Sequence, residues 1–390
     1  MPKISFLVVH NRYRQPGGED AVVRAEVEQL RARGHRVIPY TRDNSEIAGY
    51  GLASKAFLPL RTTFNPQTYT AIRGLIARER PDIVHIHNFF PLISPAAHYA
   101  AKSSGVPVLQ TLHNYRLVCP AATLFARGEP CRQGCSNSGA GLLRACYRNS
   151  RLATAGVSMM LQSHRLLNSW NRCIDAYLVP SKFCHDYFAD AGLPAQKMHV
   201  QPNFLEYDPG HRIKHGDYAL FVGRLSPEKG VLEMVQAWEQ LPYVPLLLAG
   251  DGPLQTQIAE VAARTTGCVK LLGQLDAEQT IAHIKRARFL VFPSRWYEPF
   301  GMALLEAAAC GVPAIASRIG AVAELVADGK TGLLFDPDNF DELVASVRWA
   351  WSHPAEMDRM GNAARQLYLE KFTAETSYQS LMSVCRSLLN

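Results

Sequence analysis

Short apolar runs alternate with amphipathic runs along almost the whole chain of 390 residues. The apolar runs have the length of strands and are rich in Val, Ile, Leu and Phe, while the runs between them have the spacing of helices with one apolar face. Strands that alternate with helices build parallel sheets through crossover connections. The sequence therefore predicts an α/β protein. Because 390 residues exceed the size at which a single core keeps growing, we expect two domains.

The predicted strands fall into two groups on either side of a polar segment. Those of the first group span 4–9, 36–40, 83–86, 107–112 and 176–180, and those of the second span 218–222, 244–249, 269–272, 289–292, 313–316 and 333–335. The segment between the groups contains proline and glycine and has no sustained period, so it is typical of a linker. We predict two Rossmann-like domains over 1–202 and 217–372, a linker over 203–216 and a C-terminal helix over 373–390 that crosses back to the first domain.

Positive charge is concentrated in the first predicted domain. Between Ile83 and Ile174 the sequence has nine Lys and Arg residues and one acid, Glu129. Such a region favours an anionic partner, which can be membrane phospholipid, a lipid-linked phosphate or a nucleic acid. The chain lacks the aromatic and basic motifs of nucleic-acid-binding modules, so we do not expect nucleic acid as a partner.

Three features indicate a cytoplasmic protein. No apolar run reaches the length of a membrane span. Residues 1–10 resemble a first buried strand rather than a signal peptide. The nine cysteines are an odd number in a large chain, which fits reduced thiols better than disulfides.

A glycine and two basic residues follow the first strand of the second domain. Gly223 and Arg224 come directly after the strand over 218–222, and Lys229 precedes a helix that begins near Val231. Glycine lets the backbone turn tightly, and the two basic side chains can converge on one anionic group at the carboxyl end of the strand. We expect a diphosphate here. The alternative is a solvated turn whose basic side chains face water.

The stretch Glu298-Pro-Phe-Gly-Met-Ala-Leu-Leu-Glu306 carries two glutamates and leads from a strand into a predicted helix over 301–310. Helix N-termini carry partial positive charge and favour phosphate groups. Glu306 lies within an otherwise apolar helix, so its carboxylate needs a partner, and the hydroxyls of a ribose would supply one. The alternative is an internal ion pair that holds this helix to its neighbour.

In order and spacing, these two segments and the turn Ala249-Gly-Asp-Gly-Pro253 resemble the retaining glycosyltransferases of family four. That family folds as two Rossmann-like domains facing across a cleft, the GT-B fold. The resemblance implies that Arg224 and Lys229 bind the diphosphate, Glu306 the ribose hydroxyls and Glu298 the hydroxyls of the transferred sugar. The other nucleotide-sugar-binding positions that we predict in this domain are Gly223, Gly273, Phe300, Gly301 and Met302.

The first domain resembles the same family more loosely. Gly17 and Gly18 would approach the donor phosphate or the acceptor closely, unless they form a plain loop. His113 falls where the family has a histidine that contacts the donor sugar. His85 and His87 alternate on a strand and resemble a metal pair, but we expect them to be structural histidines or to line the cleft.

The resemblance also implies the chemistry: transfer of a hexosyl group with retention, from a UDP- or GDP-sugar to a glycan or lipid-linked acceptor, in the synthesis of cell-surface polysaccharide or glycoconjugate. We expect Glu298, His113, Arg224 and Lys229 to be catalytic, and we expect no metal or other cofactor to be required. Two alternatives stay open, a nucleotide-sugar epimerase on a related fold and a nucleotide-binding regulatory protein without turnover.

A long loop in the first domain leads into a basic amphipathic segment. The loop contains four cysteines, which are either zinc ligands or ordinary thiols: Cys119, Cys131, Cys135 and Cys146. The segment from Leu143 to Trp170 mixes arginines with leucines and methionines, as in elements that lie on a membrane surface. We therefore expect peripheral attachment at the inner face of a membrane, or else a buried helix with an exposed arginine edge.

Overall fold

The computed structural model describes residues 3–14, 17–131, 138–213, 216–265 and 267–390, with the side chains of 138–140 excepted. The chain divides into two compact units. The first contains residues 1–127, 131–206 and 377–390, and the second contains 128–130 and 207–376. Each unit is built around one six-stranded sheet. Within the described residues, no helix is both long and apolar enough to cross a lipid bilayer.

The sheet of the first unit has the order β2-β1-β3-β4-β7-β8, and every adjacent pair is parallel. Its strands are β1 (Ser5–Arg12), β2 (Arg36–Asp43), β3 (Ile83–Asn88), β4 (Val108–Thr111), β7 (Ala176–Val179) and β8 (Met198–Val200). Two shorter strands, β5 (Phe125–Ala126) and β6 (Glu129–Pro130), form a separate two-stranded sheet. The sequence patterns did not predict β5, β6 or β8, which have only two or three residues each.

Ten helices accompany these strands in the described part of the chain. They are α1 (Gly18–Ala32), α2 (Leu52–Ala56), α3 (Leu58–Thr63), α4 (Pro66–Glu79), α5 (Ala96–Ser103), α6 (Ser138–Leu143), α7 (Arg151–Leu166), α8 (Ser169–Arg172), α9 (Lys182–Asp190) and α17 (Ala374–Leu389). Short 3-10 turns cover Asn44–Gly49 and Ala195–Lys197. Helix α7 begins at Ser150, whose hydroxyl accepts from the Ala153 amide at 3.2 Å, as an N-cap residue does.

The C-terminal helix α17 packs on the sheet of the first unit. Leu381 and Met382 share a buried cluster with Phe6 and Leu30. The Tyr378 hydroxyl lies 2.8 Å from Nε2 of a buried histidine, His35. Nδ1 of that imidazole accepts from the Ile4 amide, so Nε2 carries the proton and donates to the tyrosine. Burial of this helix against the first sheet explains why residues 377–390 belong to the first unit.

The sheet of the second unit has the order β11-β10-β9-β12-β13-β14 and is again parallel throughout. Its strands are β9 (Ala219–Val222), β10 (Leu246–Ala249), β11 (Val269–Gly273), β12 (Phe289–Phe292), β13 (Ala314–Ser317) and β14 (Gly332–Phe335). All six lie where the apolar runs predict strands, because a parallel strand with both faces covered is apolar throughout.

Helices cover both faces of this second sheet. They are α10 (Val231–Ala237), α11 (Gln255–Ala262), α12 (Ala277–Arg286), α13 (Met302–Ala309), α14 (Val322–Leu325), α15 (Phe340–Ser352) and α16 (Pro354–Lys371), with 3-10 turns over Pro227–Lys229 and Trp238–Gln240. Phe221 and Val291 belong to one buried cluster, while their neighbours Leu220 and Leu290 belong to another. Successive residues of one strand therefore face two separate cores.

Candidate functional site

The strand order of the second unit creates a switch point between β9 and β12. The chain leaves these adjacent strands toward opposite halves of the sheet, so the loops that follow them diverge and leave a crevice at the carboxyl edge. Residues 223–230 follow β9, and residues 293–301 follow β12. The predicted donor-binding residues lie mostly in these two loops, at the place where open α/β sheets bind ligands.

Glycines bring the backbones of neighbouring loops into direct contact at this edge. A Cβ atom on Gly250 would lie 1.9 Å from the carbonyl oxygen of Gly223, and one on Gly230 would lie 2.1 Å from that of Pro293. Both glycines have positive φ angles, +143° and +63°. Residues with side chains would separate the loops, so the glycines determine how closely the loops pack.

Lys229 and Glu298, predicted from different motifs, form an ion pair. The ammonium donates to Oε1 of the glutamate, which also accepts from the Ser294 hydroxyl at 2.8 Å. Glu298 is 3% exposed, whereas the lysine side chain is 22% exposed. The lysine Nζ also lies 5.5 Å from the ring centres of Phe292 and Trp296. One carboxylate oxygen and one cation are therefore held in place before any ligand binds.

Glu306 has a different environment on α13. Burial among apolar neighbours raises the pKa of its carboxyl group from 4.5 to about 7. The helix begins after Gly301 without a side-chain cap, so its first amides are not bonded by a capping side chain. A helix start of this kind can accept an anion, and a carboxyl group that is costly to ionise gains from hydroxyl donors.

The remaining predicted positions of the second unit surround the same loops. The Arg224 side chain is exposed, just beyond β9. The carbonyl of Gly273 accepts from the Gly250 amide at 2.8 Å, which ties the ends of β10 and β11 together. Phe300 is 8% exposed, and its ring lies 6.0 Å from that of Phe372. Met302, the first residue of α13, is half-buried.

In the first unit, the structure brings His113 and His87 together. Nε2 of His113 lies 3.0 Å from Nδ1 of His87, and the rings stack at 5.3 Å. Burial lowers the pKa of His113 well below its ordinary value and that of His87 to about 4, so both imidazoles are neutral near pH 7. Gly17 and Gly18 lie at the exposed start of α1.

The Glu19 cluster, in which Tyr13 and Asn114 bond to one carboxyl group, was not predicted from the sequence. Glu19 Oε2 accepts from the Tyr13 hydroxyl at 3.1 Å and from the Asn114 amide at 3.0 Å. Burial raises the pKa of Glu19 to about 8, although both hydrogen bonds act in the opposite direction. The available signal was its position directly after two glycines at a helix start, next to a strand end.

The four-cysteine hypothesis is not tested, because Cys135 lies outside the described residues. Of the other three, Cys119 is buried, and Cys131 and Cys146 are half-buried. The choice between zinc ligands and ordinary thiols is therefore not tested.

Two family models match adjoining parts of the chain. The model described as Glycosyltransferase Family 4 matches residues 16–208, and that described as Glycosyl transferases group 1 matches residues 205–367. The family matches agree with the structure, which has two parallel sheets and glycine-containing loops at the switch point of the second. The chain belongs to the family-four glycosyltransferases and has two parallel α/β units of the GT-B type.

Individual relatives are similar over different shares of the chain. Glycogen synthase from Mycobacterium tuberculosis is 38% identical over 163 residues, which is 40% of this chain and 39% of that protein. Phosphatidyl-myo-inositol mannosyltransferase from Mycolicibacterium smegmatis is 26% identical over 349 residues, 85% of this chain and 80% of that protein. The structure of HepE from Anabaena in complex with UDP-glucose matches with a TM-score of 0.70, at 18% identity, over 98% of this chain and all of that chain. The last likeness concerns the fold alone.

Proposed function

We propose that this glycosyltransferase transfers a hexosyl group with retention, from a UDP- or GDP-sugar to a glycan or lipid-linked acceptor, in the synthesis of cell-surface polysaccharide or glycoconjugate. The observation that carries the proposal is the Lys229–Glu298 ion pair at the switch point of the second unit, with Glu306 on the adjoining helix. The UDP-glucose complex of HepE supports a nucleotide-sugar donor, and the mannosyltransferase relative supports transfer of a hexosyl group.

Each group of the second unit has a proposed task. Arg224 and Lys229 bind the diphosphate, together with the amides that begin α13. Glu306 accepts hydrogen bonds from the ribose hydroxyls, and Glu298 accepts them from hydroxyls of the transferred sugar. When the sugar–phosphate bond breaks, negative charge grows on the departing diphosphate, and cations and amides fixed beforehand stabilise that charge.

The proposed reaction proceeds on one face of the sugar. The bond between the anomeric carbon and the diphosphate oxygen breaks, a bond to the acceptor oxygen forms on the same face, and the acceptor proton goes to the departing phosphate. Neutral His113 contacts the donor sugar near the reacting carbon. This chemistry uses no metal ion or other cofactor.

Ligand screening and product analysis test the proposal. A UDP- or GDP-sugar should raise the melting temperature, because a ligand that binds only the folded protein stabilises it. Nucleoside diphosphate should be released only when an acceptor is present, and NMR of the product should show the anomeric configuration of the donor. Epimerised donor without transfer would identify an epimerase, and binding without turnover would identify a regulatory protein.

We further propose that the first unit attaches peripherally to the anionic inner face of a membrane and that the protein is cytoplasmic. Leu152, Met159 and Leu166 follow one another at intervals of seven along α7 and are 81%, 37% and 85% exposed. Arg151 and Arg165 are exposed on the same helix. An exposed apolar stripe between arginines is the arrangement with which helices lie on anionic bilayers.

A neighbouring segment extends this surface. Helix α3 packs on α7, where Gly156 leaves only enough room for Pro59. Phe57 and Leu60 beside that contact are 58% and 57% exposed. The two sequence segments, 47–78 and 130–174, contain no Asp or Glu. These two segments therefore contribute apolar and basic side chains, and no acidic group of theirs would repel an anionic lipid.

Co-sedimentation with vesicles of anionic phospholipid tests this attachment. The wild type should bind at low salt, and Leu152→Asn with Leu166→Asn should reduce the bound fraction roughly tenfold. Leu369→Asn, at a 41% exposed leucine of the second unit, is the matched control and should bind like the wild type. Failure of the wild type to bind at low salt would exclude the attachment.

A further inference from the structure

A carboxylate and two imidazoles meet inside the first unit. Glu26 lies on the buried side of α1, and His85 and His87 project from the same face of β3. Glu26 Oε1 is 3.0 Å from His85 Nδ1 and 3.3 Å from His87 Nε2. Both histidine side chains are fully buried, and that of the glutamate is 4% exposed. Three potential metal-ligand atoms therefore lie close together without access to solvent.

The two contacts have the length of ion pairs, but neither has the angles of a well-formed hydrogen bond. All three are buried polar atoms without a hydrogen-bond partner. Buried polar atoms are nearly always bonded, because leaving one unsatisfied costs roughly 1–3 kcal/mol. Three such atoms facing one another indicate a shared positive ion.

The other nitrogen of each ring has a hydrogen-bond partner of its own. His85 Nε2 is 2.8 Å from the Thr111 hydroxyl, and His87 Nδ1 is 3.0 Å from His113 Nε2. Metal-binding histidines are typically held in this way, with the second nitrogen hydrogen-bonded so that the ring orientation and tautomer are set.

The distances and donor types also fit a metal. Zinc binds imidazole nitrogen and carboxylate oxygen at about 2.0–2.2 Å in a tetrahedral arrangement, which separates neighbouring ligand atoms by roughly 3.3 Å. A set of two histidines and one glutamate is among those that zinc uses. A bound metal cation would also balance the negative charge of the buried glutamate.

We propose that Glu26, His85 and His87 bind a divalent transition-metal ion, zinc being the ion that these ligands fit best. The ion joins α1 to β3 and has a structural role. With the metal on Nε2 of His87, the proton of that ring lies on Nδ1 and is donated to Nε2 of His113. The ion thereby sets the tautomer of His113 but takes no part in the transfer chemistry, so the site does not depend on the proposed function.

Metal analysis of the purified full chain tests the site. Protein stripped with a chelator, reconstituted with zinc and desalted should retain about one equivalent that His87→Ala lacks. His98→Ala is the matched control, since it removes an equally buried imidazole of the first unit, bonded to Gln110 at 2.8 Å. This variant should retain the wild-type metal content. Equal zinc in His87→Ala and the wild type, or none in the wild type, would overturn the proposal.

The absorption spectrum of cobalt(II)-substituted protein distinguishes metal at this site from metal at the four cysteines of the loop. Cobalt(II) on nitrogen and oxygen ligands gives d–d absorption without thiolate charge-transfer bands, so the absorption lost in His87→Ala should have no thiolate component. Loss of thiolate bands alone would assign the metal to the cysteines and contradict the proposal.

A variant that keeps the shape of the site separates loss of metal binding from misfolding. Glu26→Gln should lower zinc affinity at least tenfold. Zinc should raise the melting temperature of stripped wild type by roughly 5 °C and leave that of Glu26→Gln unchanged. Equal zinc shifts in both proteins would show that Glu26 is not a ligand and would overturn the site as proposed.

Discussion

The two sheets share parallel strands and one switch point each, yet they carry polar groups in different places. In the second unit, Lys229 and Glu298 lie in loops beyond the strand ends. In the first unit, Glu26 and His85 lie within the helix and strand themselves. Groups on loops at a strand edge lie where open α/β sheets bind ligands, whereas groups inside packed elements hold those elements together or bind an ion. The same architecture therefore supports two kinds of polar site.

A similar difference separates two glutamates of the second unit, Glu298 and Glu306. Glu298 is buried but has a lysine and a serine as partners. Glu306 is half-buried, and its partial removal from water raises its pKa. Replacing a carboxylate of an ion pair leaves its partner unpaired, whereas a carboxyl group of raised pKa reduces protein stability when it ionises. Substitutions at the two positions should therefore have opposite signs for stability.

The largest effect is expected at the paired carboxylate. Glu298→Gln keeps the shape but removes the charge, so kcat should fall roughly 100- to 1000-fold, the usual loss for a group that acts mainly in the transition state. Nucleotide affinity should change less than about threefold, because the proposed contact is with the sugar. Steady-state kinetics and calorimetry measure both. Glu260→Gln, on the exposed side of α11, is the control and should leave both unchanged.

If Glu298→Gln kept the kcat of the wild type, Glu298 would have no catalytic role. Its carboxylate would then serve only to pair with Lys229.

An intermediate effect is expected where the loops touch. Gly250→Ala places a Cβ against the Gly223 carbonyl and strains the backbone, so the free energy of unfolding should fall by about 3 kcal/mol. Gly267→Ala also has a positive φ but has open space around it, so it should cost about 1 kcal/mol. Denaturant unfolding compares the two, and equal losses would show that loop contact does not constrain this edge.

The smallest effect is expected at Glu306. Its pKa is raised, so the folded protein binds the proton more tightly than the unfolded chain, and stability decreases as the pH rises from about 4.5 to about 7. Gln cannot ionise, so Glu306→Gln should be more stable than the wild type by about 1–2 kcal/mol at pH 8 and equally stable at pH 4.

Nucleotide binding completes the test of Glu306. The variant should bind nucleotide roughly tenfold more weakly, because an amide accepts ribose hydroxyls less well than a carboxylate. Thermal melts at both pH values and calorimetry with nucleoside diphosphates measure these outcomes. A variant that lost stability at pH 8 would show that this carboxylate is paired.

The strands were largely predictable because their burial is encoded locally. The run Phe289–Phe292 is apolar at every position, and the structure has a strand with those same bounds. Short strands such as Met198–Val200 were missed, since three residues carry no periodic signal. The position of α17 on the first sheet agrees with the expectation that it crosses back, although its composition alone did not require it.

The polar contacts were less predictable than the residues that make them. Glu26 was overlooked, although a carboxylate on the apolar face of α1 between Val22 and Leu30 is a visible signal. The Glu19 cluster depends on Asn114, 95 positions later, so no local pattern reveals it. The roles assigned to Arg224, Glu306 and His113 remain predictions that ligand binding has yet to test.

The sequence by itself determined the α/β class, the family and the residues at the strand edges, because burial periodicity, glycine turns and motif spacing are properties of contiguous segments. Only the tertiary structure decided which of those residues meet. Lys229 contacts Glu298 across 69 positions because β9 and β12 are neighbours at the switch point, and Glu26 contacts His85 because α1 packs on β1, the neighbour of β3. Contacts of this kind depend on the order of strands in the sheet, which is set by packing of the whole chain.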